Sequence, residues 1–258
     1  MKTDATARAE ARARALVRLV REHLPLSVRP GAGRGSWAVA GPALVARMAG
    51  TVEAMVTLRP LNREADALCL LRVLFEHAVL FAWLAAERSG ERLACWRKHD
   101  ALERLKADND SRQDLGISLL DDENRAIVER EAVIKGVGKL PAVSALAAAA
   151  DRYWSKRLPE AEPDGQTSFR GQYVLIYRHA SGLMHPTFRG LNHVIYETPT
   201  HQLSIDLEGT PKKGGPLGVS SCVFGLALFV AGESLGWPRR EAITGVFDCY
   251  DEGAGGDV

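Results

Sequence analysis

One helix of the sequence ends with two side chains that could do acid–base chemistry on a phosphate. Arg178 and His185 are seven residues apart, so on a helix they project from nearly the same side. Ser181 lies four residues before His185 and can touch it, and Pro186 ends the helix. A guanidinium can stabilise charge on a phosphate while an imidazole moves a proton on or off the 2′-oxygen or the leaving oxygen of RNA. An arginine and a histidine held together in this way could therefore serve RNA cleavage, and no metal would be required.

The same spacing also fits a purely structural role, in which Arg178 and His185 line a solvated face. Spacing alone is weak evidence, because three other Arg/His pairs are also five to seven residues apart: Arg18/His23, Arg72/His77 and Arg92/His99. Only the Arg178 pair combines a late position in its helix, a same-face geometry and a polar residue, His179, directly after the arginine. The predicted catalytic residues are therefore Arg178, His179, Ser181 and His185.

A second polar group interrupts an otherwise apolar helix. Arg72 and Glu76 are four residues apart and can form an ion pair one turn apart, and His77 follows directly. One interpretation is a structural salt bridge at a helix–helix contact, since perturbed ionic groups are often only structural. The other is a polar site in the bundle, with Glu76 or His77 as acid, base or ligand. Together with Tyr177, which precedes Arg178, these are the predicted binding residues.

The motif from Arg178 to His185 resembles the Arg-x4–6-His motif of the HEPN superfamily, in which a polar residue follows the arginine. Those proteins are small all-helical bundles found in bacterial toxin–antitoxin, abortive-infection and CRISPR-associated ribonucleases. The resemblance implies an endoribonuclease of stress or phage defence. His185 would be the acid–base and Arg178 the phosphate clamp, with His179 and Ser181 orienting them. It also implies a homodimer or an antitoxin-type protein partner.

The wider pattern is similar to an uncharacterised bacterial family of helical proteins. It joins Arg-x3-Glu, at Arg72 and Glu76, to Tyr-x3-Ser-x3-His-Pro, from Tyr177 to Pro186. The resemblance covers roughly residues 50–190.

A different class of function stays open from the residues alone. In this alternative the chain is a non-catalytic helical module that binds a protein partner or small ligand, and the same side chains serve packing. No cofactor is predicted, because the segment from Gly31 to Gly35 lacks the preceding strand and the spacing of a phosphate-binding loop. No metal is predicted either, since His179, His185, His193 and Glu76 form no ligand motif.

Composition indicates a globular helical protein whose net charge creates no strong electrostatic field. The 258 residues are 46% hydrophobic and 25% charged, and the 7% aromatic content favours helix over sheet. A net charge of +1 gives no general attraction to nucleic acid or an anionic membrane. The four cysteines form no disulfide framework, and no apolar leader follows Met1. We therefore predict a cytoplasmic protein without membrane contact.

The elements that must position these residues are mainly helices. The pattern predicts an all-α bundle of about seven or eight helices with a small β-hairpin near 191–208, formed by strands at 191–197 and 202–208. A single domain is predicted for 1–250, with helix 5–24 as a candidate peripheral element and 251–258 as a disordered tail. The apolar helix at about 217–236 is predicted to be central and buried, because its apolar run is too short to cross a bilayer of about 30 Å.

Overall fold

The computed structural model describes residues 5–24, 36–61, 63–87, 90–157, 168–177, 195–197, 203–205 and 216–251. Nine α-helices lie in these ranges: α1 Ala5–His23, α2 Trp37–Leu58, α3 Glu64–Ala86, α4 Gly90–Leu115, α5 Asp122–Ala132, α6 Val143–Trp154, α7 Phe169–Gln172, α8 Pro216–Leu235 and α9 Arg240–Asp251. A 3-10 turn, Arg59–Leu61, follows α2, and a π-helix, Tyr173–Tyr177, follows α7.

The all-α class is confirmed, but the prediction of a β-hairpin as a second component of the fold was wrong. What the structure describes is a ladder of three residue pairs, in which Ile195–Glu197 runs antiparallel to Leu203–Ile205. Such a contact is shorter than an ordinary strand of five or so residues and adds no sheet to the architecture. The alternating valine, isoleucine and tyrosine pattern favoured longer strands, and the rest of the predicted strands lies outside the described residues.

Contacts divide the chain into two compact units, one from residues 1–27, 41–86 and 143–258 and the other from 28–40 and 87–142. The single domain predicted for 1–250 stays a prediction. Asp251, placed in the predicted tail, is the last residue of α9, and 252–258 lie outside the described residues.

The core of the first unit is built around α3 and α8. These two helices contact each other, α3 also contacts α6 and the π-helix, and α8 also contacts α1 and α9. Helix α8 is buried over most of its length, with Phe224 and Leu228 fully inside, as its apolar sequence predicts. Trp154 at the end of α6 donates its indole N–H to the carbonyl of Ala82 at 2.8 Å and so ties α6 to α3.

Helix α1 belongs to this core and is not peripheral. Its apolar stripe buries Leu16, Val17 and Val20, and the helix contacts α8 and α9. Glu10 on the same helix pairs with Arg14 one turn on and with Arg59 beyond α2.

The second unit is built on α4 and α5, which pack on each other along a small apolar cluster. Ala101, Leu120 and Val128 are buried there. Arg97 pairs with Glu131 across the two helices, and the ammonium group of Lys98 donates to the carbonyl of Ile134 at 2.8 Å. Most of the remaining surface of this pair is charged and exposed.

Three helical stretches of the described chain are long and apolar enough to cross a membrane, judged by length and composition only: Trp37–Leu61, Ala65–Ala86 and Pro216–Leu235. More than half of each apolar window is buried inside the protein. The prediction that α8 is too short to cross a bilayer rested on its uninterrupted apolar run, which is shorter than the whole helix, Pro216–Leu235. A cytoplasmic location and the lack of membrane contact stay predictions.

Candidate functional site

The polar pair predicted on α3 forms. Arg72 donates from Nε to Oε1 of Glu76 at 3.0 Å, as expected for two residues one helical turn apart. The side chain of Arg72 is 18% exposed and that of Glu76 is 37% exposed, so the pair lies at the edge of the core. A carboxylate this accessible can still meet a ligand or solvent, and its role stays a prediction.

Arg72 makes a second set of contacts, with the tyrosine that directly precedes the Arg178 motif. Its Nη2 donates to the hydroxyl of Tyr177 at 3.1 Å, and its guanidinium carbon lies 4.6 Å from the centre of the tyrosine ring. Burial by itself lowers the pKa of Arg72, but the hydrogen bond with Glu76 and the interactions with Tyr177 raise it overall. The guanidinium therefore stays charged and fixed between the two side chains.

Aromatic packing holds Tyr177 on α3. Its ring stacks on that of Tyr173 with 5.1 Å between centroids and 19° between planes. Phe75, fully buried on α3, lies 6.3 Å from Tyr177 and 6.4 Å from Tyr173. Aromatic pairs at such distances add about 0.5–1.5 kcal/mol each beyond the area they bury. The three rings and Arg72 form what we call the tyrosine anchor: Arg72, Phe75, Tyr173 and Tyr177.

The two tyrosines of the tyrosine anchor lie on a π-helix, in the segment where the sequence predicts the α-helix that ends before Pro186. Ser168 does cap the start of α7, accepting the amide of Gly171 at 2.9 Å, and α7 then lasts only four residues. The π-helix, Tyr173–Tyr177, begins where the two tyrosines turn their rings together toward α3. Single π turns inside helices are frequent at functional sites.

A half-buried carboxylate fixes the start of this segment. Asp151 on α6 accepts the amides of Phe169 at 2.8 Å and Arg170 at 2.9 Å, so it satisfies two donors at the N-terminus of α7. Burial raises the pKa of Asp151, and the two amides and Arg170 oppose that rise only in part. Nothing in the local sequence indicates this contact, because the partners are 18 and 19 residues apart.

His77, predicted beside the polar pair, bonds to its own helix. Its Nδ1 lies 2.7 Å from the carbonyl oxygen of Val73, a geometry in which Nδ1 carries the proton and donates. That bond fixes the ring against α3.

The predicted catalytic residues Arg178, His179, Ser181 and His185 lie outside the described residues, as does His193. The described segment 168–177 ends at Tyr177, the residue directly before the motif. In the part of the chain that the structure describes, no three His, Cys, Asp or Glu side chains come together in the way that a metal ion requires.

Comparison with known proteins gives one match. No match is found among curated proteins or among solved structures. The match is to a family model and lends no support to membership of the HEPN superfamily. It covers residues 39–202, which include both the Arg-x3-Glu pair on α3 and the segment from Tyr177 to Pro186. Because this is more than half of the 258 residues, the chain belongs to DUF5677, a family of unknown function.

Proposed function

We propose that the chain is a HEPN-like endoribonuclease that cleaves RNA without a metal ion, through Arg178 and His185. The observation that carries the proposal is the tyrosine anchor. Tyr177, the residue directly before Arg178, is bonded to Arg72 and packed on Phe75. A catalytic guanidinium is most effective when its backbone is held in place before the substrate arrives. The motif therefore starts from a fixed point on α3.

The chemistry needs only the side chains of the motif. The 2′-oxygen of the RNA attacks phosphorus and the bond from phosphorus to the 5′-oxygen breaks. One proton leaves the 2′-hydroxyl and one is delivered to the 5′-oxygen, and the imidazole of His185 serves one of these transfers. The guanidinium of Arg178 stabilises the charge on the non-bridging oxygens. The products are a 2′,3′-cyclic phosphate and a 5′-hydroxyl.

His179 and Ser181 orient the two reacting groups in this scheme, and the Arg72–Glu76 pair braces the segment from α3. The net charge of +1 means that RNA must be held by local cations near the motif. A homodimer, or pairing with an antitoxin-type protein, and a cytoplasmic location belong to the same proposal.

The test is cleavage of a labelled RNA by purified protein in EDTA. The wild type should cut, His185→Ala should abolish cutting, and Arg178→Ala should reduce it by roughly a hundredfold or more. His23→Ala is the matched control, because Arg18 and His23 have similar spacing but lie on α1, where the ring bonds to the carbonyl of Leu19. Circular dichroism of each variant shows whether the fold is kept. Cutting by folded His185→Ala at the wild-type rate would overturn the proposal.

A second candidate is the non-catalytic binding module. The observation in its favour is that Val174 and Leu175, on the π-helix itself, are 54% and 64% exposed. Exposed apolar side chains next to an ordered polar group suit a protein contact as well as they suit a substrate channel. This candidate predicts no RNA cleavage by any preparation, together with a loss of stability in Arg72→Ala, which leaves Glu76 without its ion-pair partner.

A further inference from the structure

The loop between α4 and α5 presents a cluster of apolar side chains to solvent. Leu115, Ile117 and Leu119 are 70%, 58% and 61% exposed, and they lie within five consecutive positions. Single exposed leucines are ordinary on protein surfaces, whereas a group of large apolar side chains at one spot marks an interaction site. We call residues 115–121 the α4–α5 tip.

A buried carboxylate holds the backbone of the α4–α5 tip in one conformation. Asp108, whose side chain is wholly buried, accepts the amides of Leu119 at 2.6 Å and Leu120 at 3.0 Å. Its Oδ1 also accepts the hydroxyl of Ser118 at 3.0 Å. Arg112, at 2.9 Å, and Arg125 pair with its other oxygen. Two helices and the loop are therefore joined at a single carboxylate.

Further bonds make the loop conformation specific. The hydroxyl of Ser111 donates to the carbonyl of Ile117 at 2.8 Å. Gly116 has a φ of 68°, the left-handed conformation that ends many helices and that other residues rarely adopt. Asp121 then caps α5 by accepting the amide of Asn124 at 2.7 Å. Leu120 is turned into the apolar cluster of the unit, which leaves Leu115, Ile117 and Leu119 outside.

The fixed conformation of the α4–α5 tip favours binding of a partner. A surface whose apolar side chains are already held in place loses little conformational entropy when a partner covers it. The α4–α5 tip is preorganised in this sense, since four of its backbone amides, those of Gly116, Ile117, Leu119 and Leu120, donate to groups on α4.

The charge around the α4–α5 tip indicates what could cover it. Exposed acidic side chains flank the tip along the chain, and we call them its acidic rim: Asp110 and Asp114 before it, Asp121 at its end, and Asp122 and Glu123 after it. The two nearby arginines, Arg112 and Arg125, are paired with Asp108. An acidic rim repels anionic lipid and nucleic acid, and it also disfavours the approach of a second copy of the same tip.

We propose that the α4–α5 tip is a docking surface for another protein that offers an apolar face flanked by lysine and arginine side chains. The partner's apolar face covers Leu115, Ile117 and Leu119, while its cations meet the acidic rim. This contact is independent of RNA cleavage, because it uses only residues of α4, α5 and their loop.

The test measures binding of a labelled amphipathic helical peptide made of leucine and lysine, with a leucine–glutamate peptide as the charge control. Fluorescence anisotropy should show binding of the lysine peptide, weakening with added salt, and no binding of the glutamate peptide. The combined variant Leu115→Ser, Ile117→Ser, Leu119→Ser should weaken that binding by roughly tenfold or more.

The matched control replaces three other exposed apolar residues of the same unit: Leu102→Ser, Ile127→Ser and Val133→Ser. It should bind the lysine peptide as the wild type does. Equal binding by the wild type and the tip variant would overturn the proposal. Two other results would also overturn it, in each case with peptide binding the same in both proteins. One is binding of phosphatidylserine vesicles by the wild type that the tip variant loses. The other is a wild-type dimer in sedimentation equilibrium that the tip variant does not form.

Discussion

Asp108 gives a prediction whose size can be worked from its contacts. Replacing it with alanine removes the acceptor of two backbone amides and leaves Arg125, whose side chain is 22% exposed, without its buried partner. Breaking a buried ion pair by removing one partner costs about 3–5 kcal/mol. Arg112 is 46% exposed, so solvent screens its share and it adds little to that figure. We expect Asp108→Ala to lower the free energy of unfolding by about 3–5 kcal/mol.

The isosteric Asp108→Asn keeps one oxygen that can accept the amides of Leu119 and Leu120, but it loses the charge and puts an NH2 donor where Arg112 and Arg125 need an acceptor. We expect it to cost about 1.5–3 kcal/mol, the value of hydrogen bonds to a charged group. Asp110→Asn, two residues on and exposed, is the control and should stay within about 0.5 kcal/mol of the wild type.

Two assays read this prediction. Urea unfolding gives the global loss, and amide hydrogen exchange by mass spectrometry gives the local one, because the amides of Leu119 and Leu120 lose their acceptor. Exchange should rise in peptides covering 115–121 of Asp108→Ala relative to the same peptides of Asp110→Asn. The reasoning is refuted if Asp108→Ala unfolds at the same urea concentration as Asp110→Asn and its loop amides exchange at the wild-type rate.

Three further predictions concern the first unit. Tyr177→Phe removes the acceptor of Arg72 but keeps the ring contact, so urea unfolding should show a loss of about 0.5–1.5 kcal/mol. Gly232→Ala would put a Cβ 2.7 Å from the carbonyl oxygen of Pro238, and the resulting shift of the turn between α8 and α9 should cost about 1–3 kcal/mol in the same assay. For Glu10, burial by itself raises the pKa, but hydrogen bonds from two arginines outweigh it and the pKa is lowered from 4.5. Its ionised form therefore stabilises the fold above pH 4.5. The stability difference between wild type and Glu10→Gln should shrink as the pH falls below 4.5 and vanish below the lowered pKa of the folded state; a difference that persists in stronger acid would contradict this.

The fold was predictable where apolar periodicity was long and uninterrupted. The apolar stripe on α1 and the burial of α8 follow from local pattern. Capping chemistry favours Thr167 or Ser168 before α7, and Ser168 is the cap. The end of α4 was not predictable in this way. The run of Asp, Asn and Ser after Ala107 favours a turn, because these residues compete with helical hydrogen bonds. In the structure α4 continues to Leu115, since the tertiary bonds of Asp108 outweigh that preference.

In the candidate site, too, local contacts were predictable from the sequence and tertiary contacts were not. The Arg72–Glu76 pair follows from spacing alone and forms as predicted. The contact of Arg72 with Tyr177 joins residues 105 positions apart, and no local pattern encodes it. The π-helix was missed for the same reason, because the stacking of Tyr173 and Tyr177 against α3 is a tertiary contact. Periodicity fits an α-helix through that segment equally well.

The chemical ends of cleaved RNA test the central claim most directly. A labelled RNA is incubated with purified protein in EDTA, and the termini of the products are identified by mass spectrometry. Wild-type protein should give 2′,3′-cyclic phosphate and 5′-hydroxyl ends, a 2′-deoxy nucleotide at the cut site should block cleavage there, and folded His185→Ala should give no products. No cleavage by the wild type, ends carrying a 5′-phosphate that appear only when a divalent metal is added, or unchanged products from His185→Ala would contradict the account.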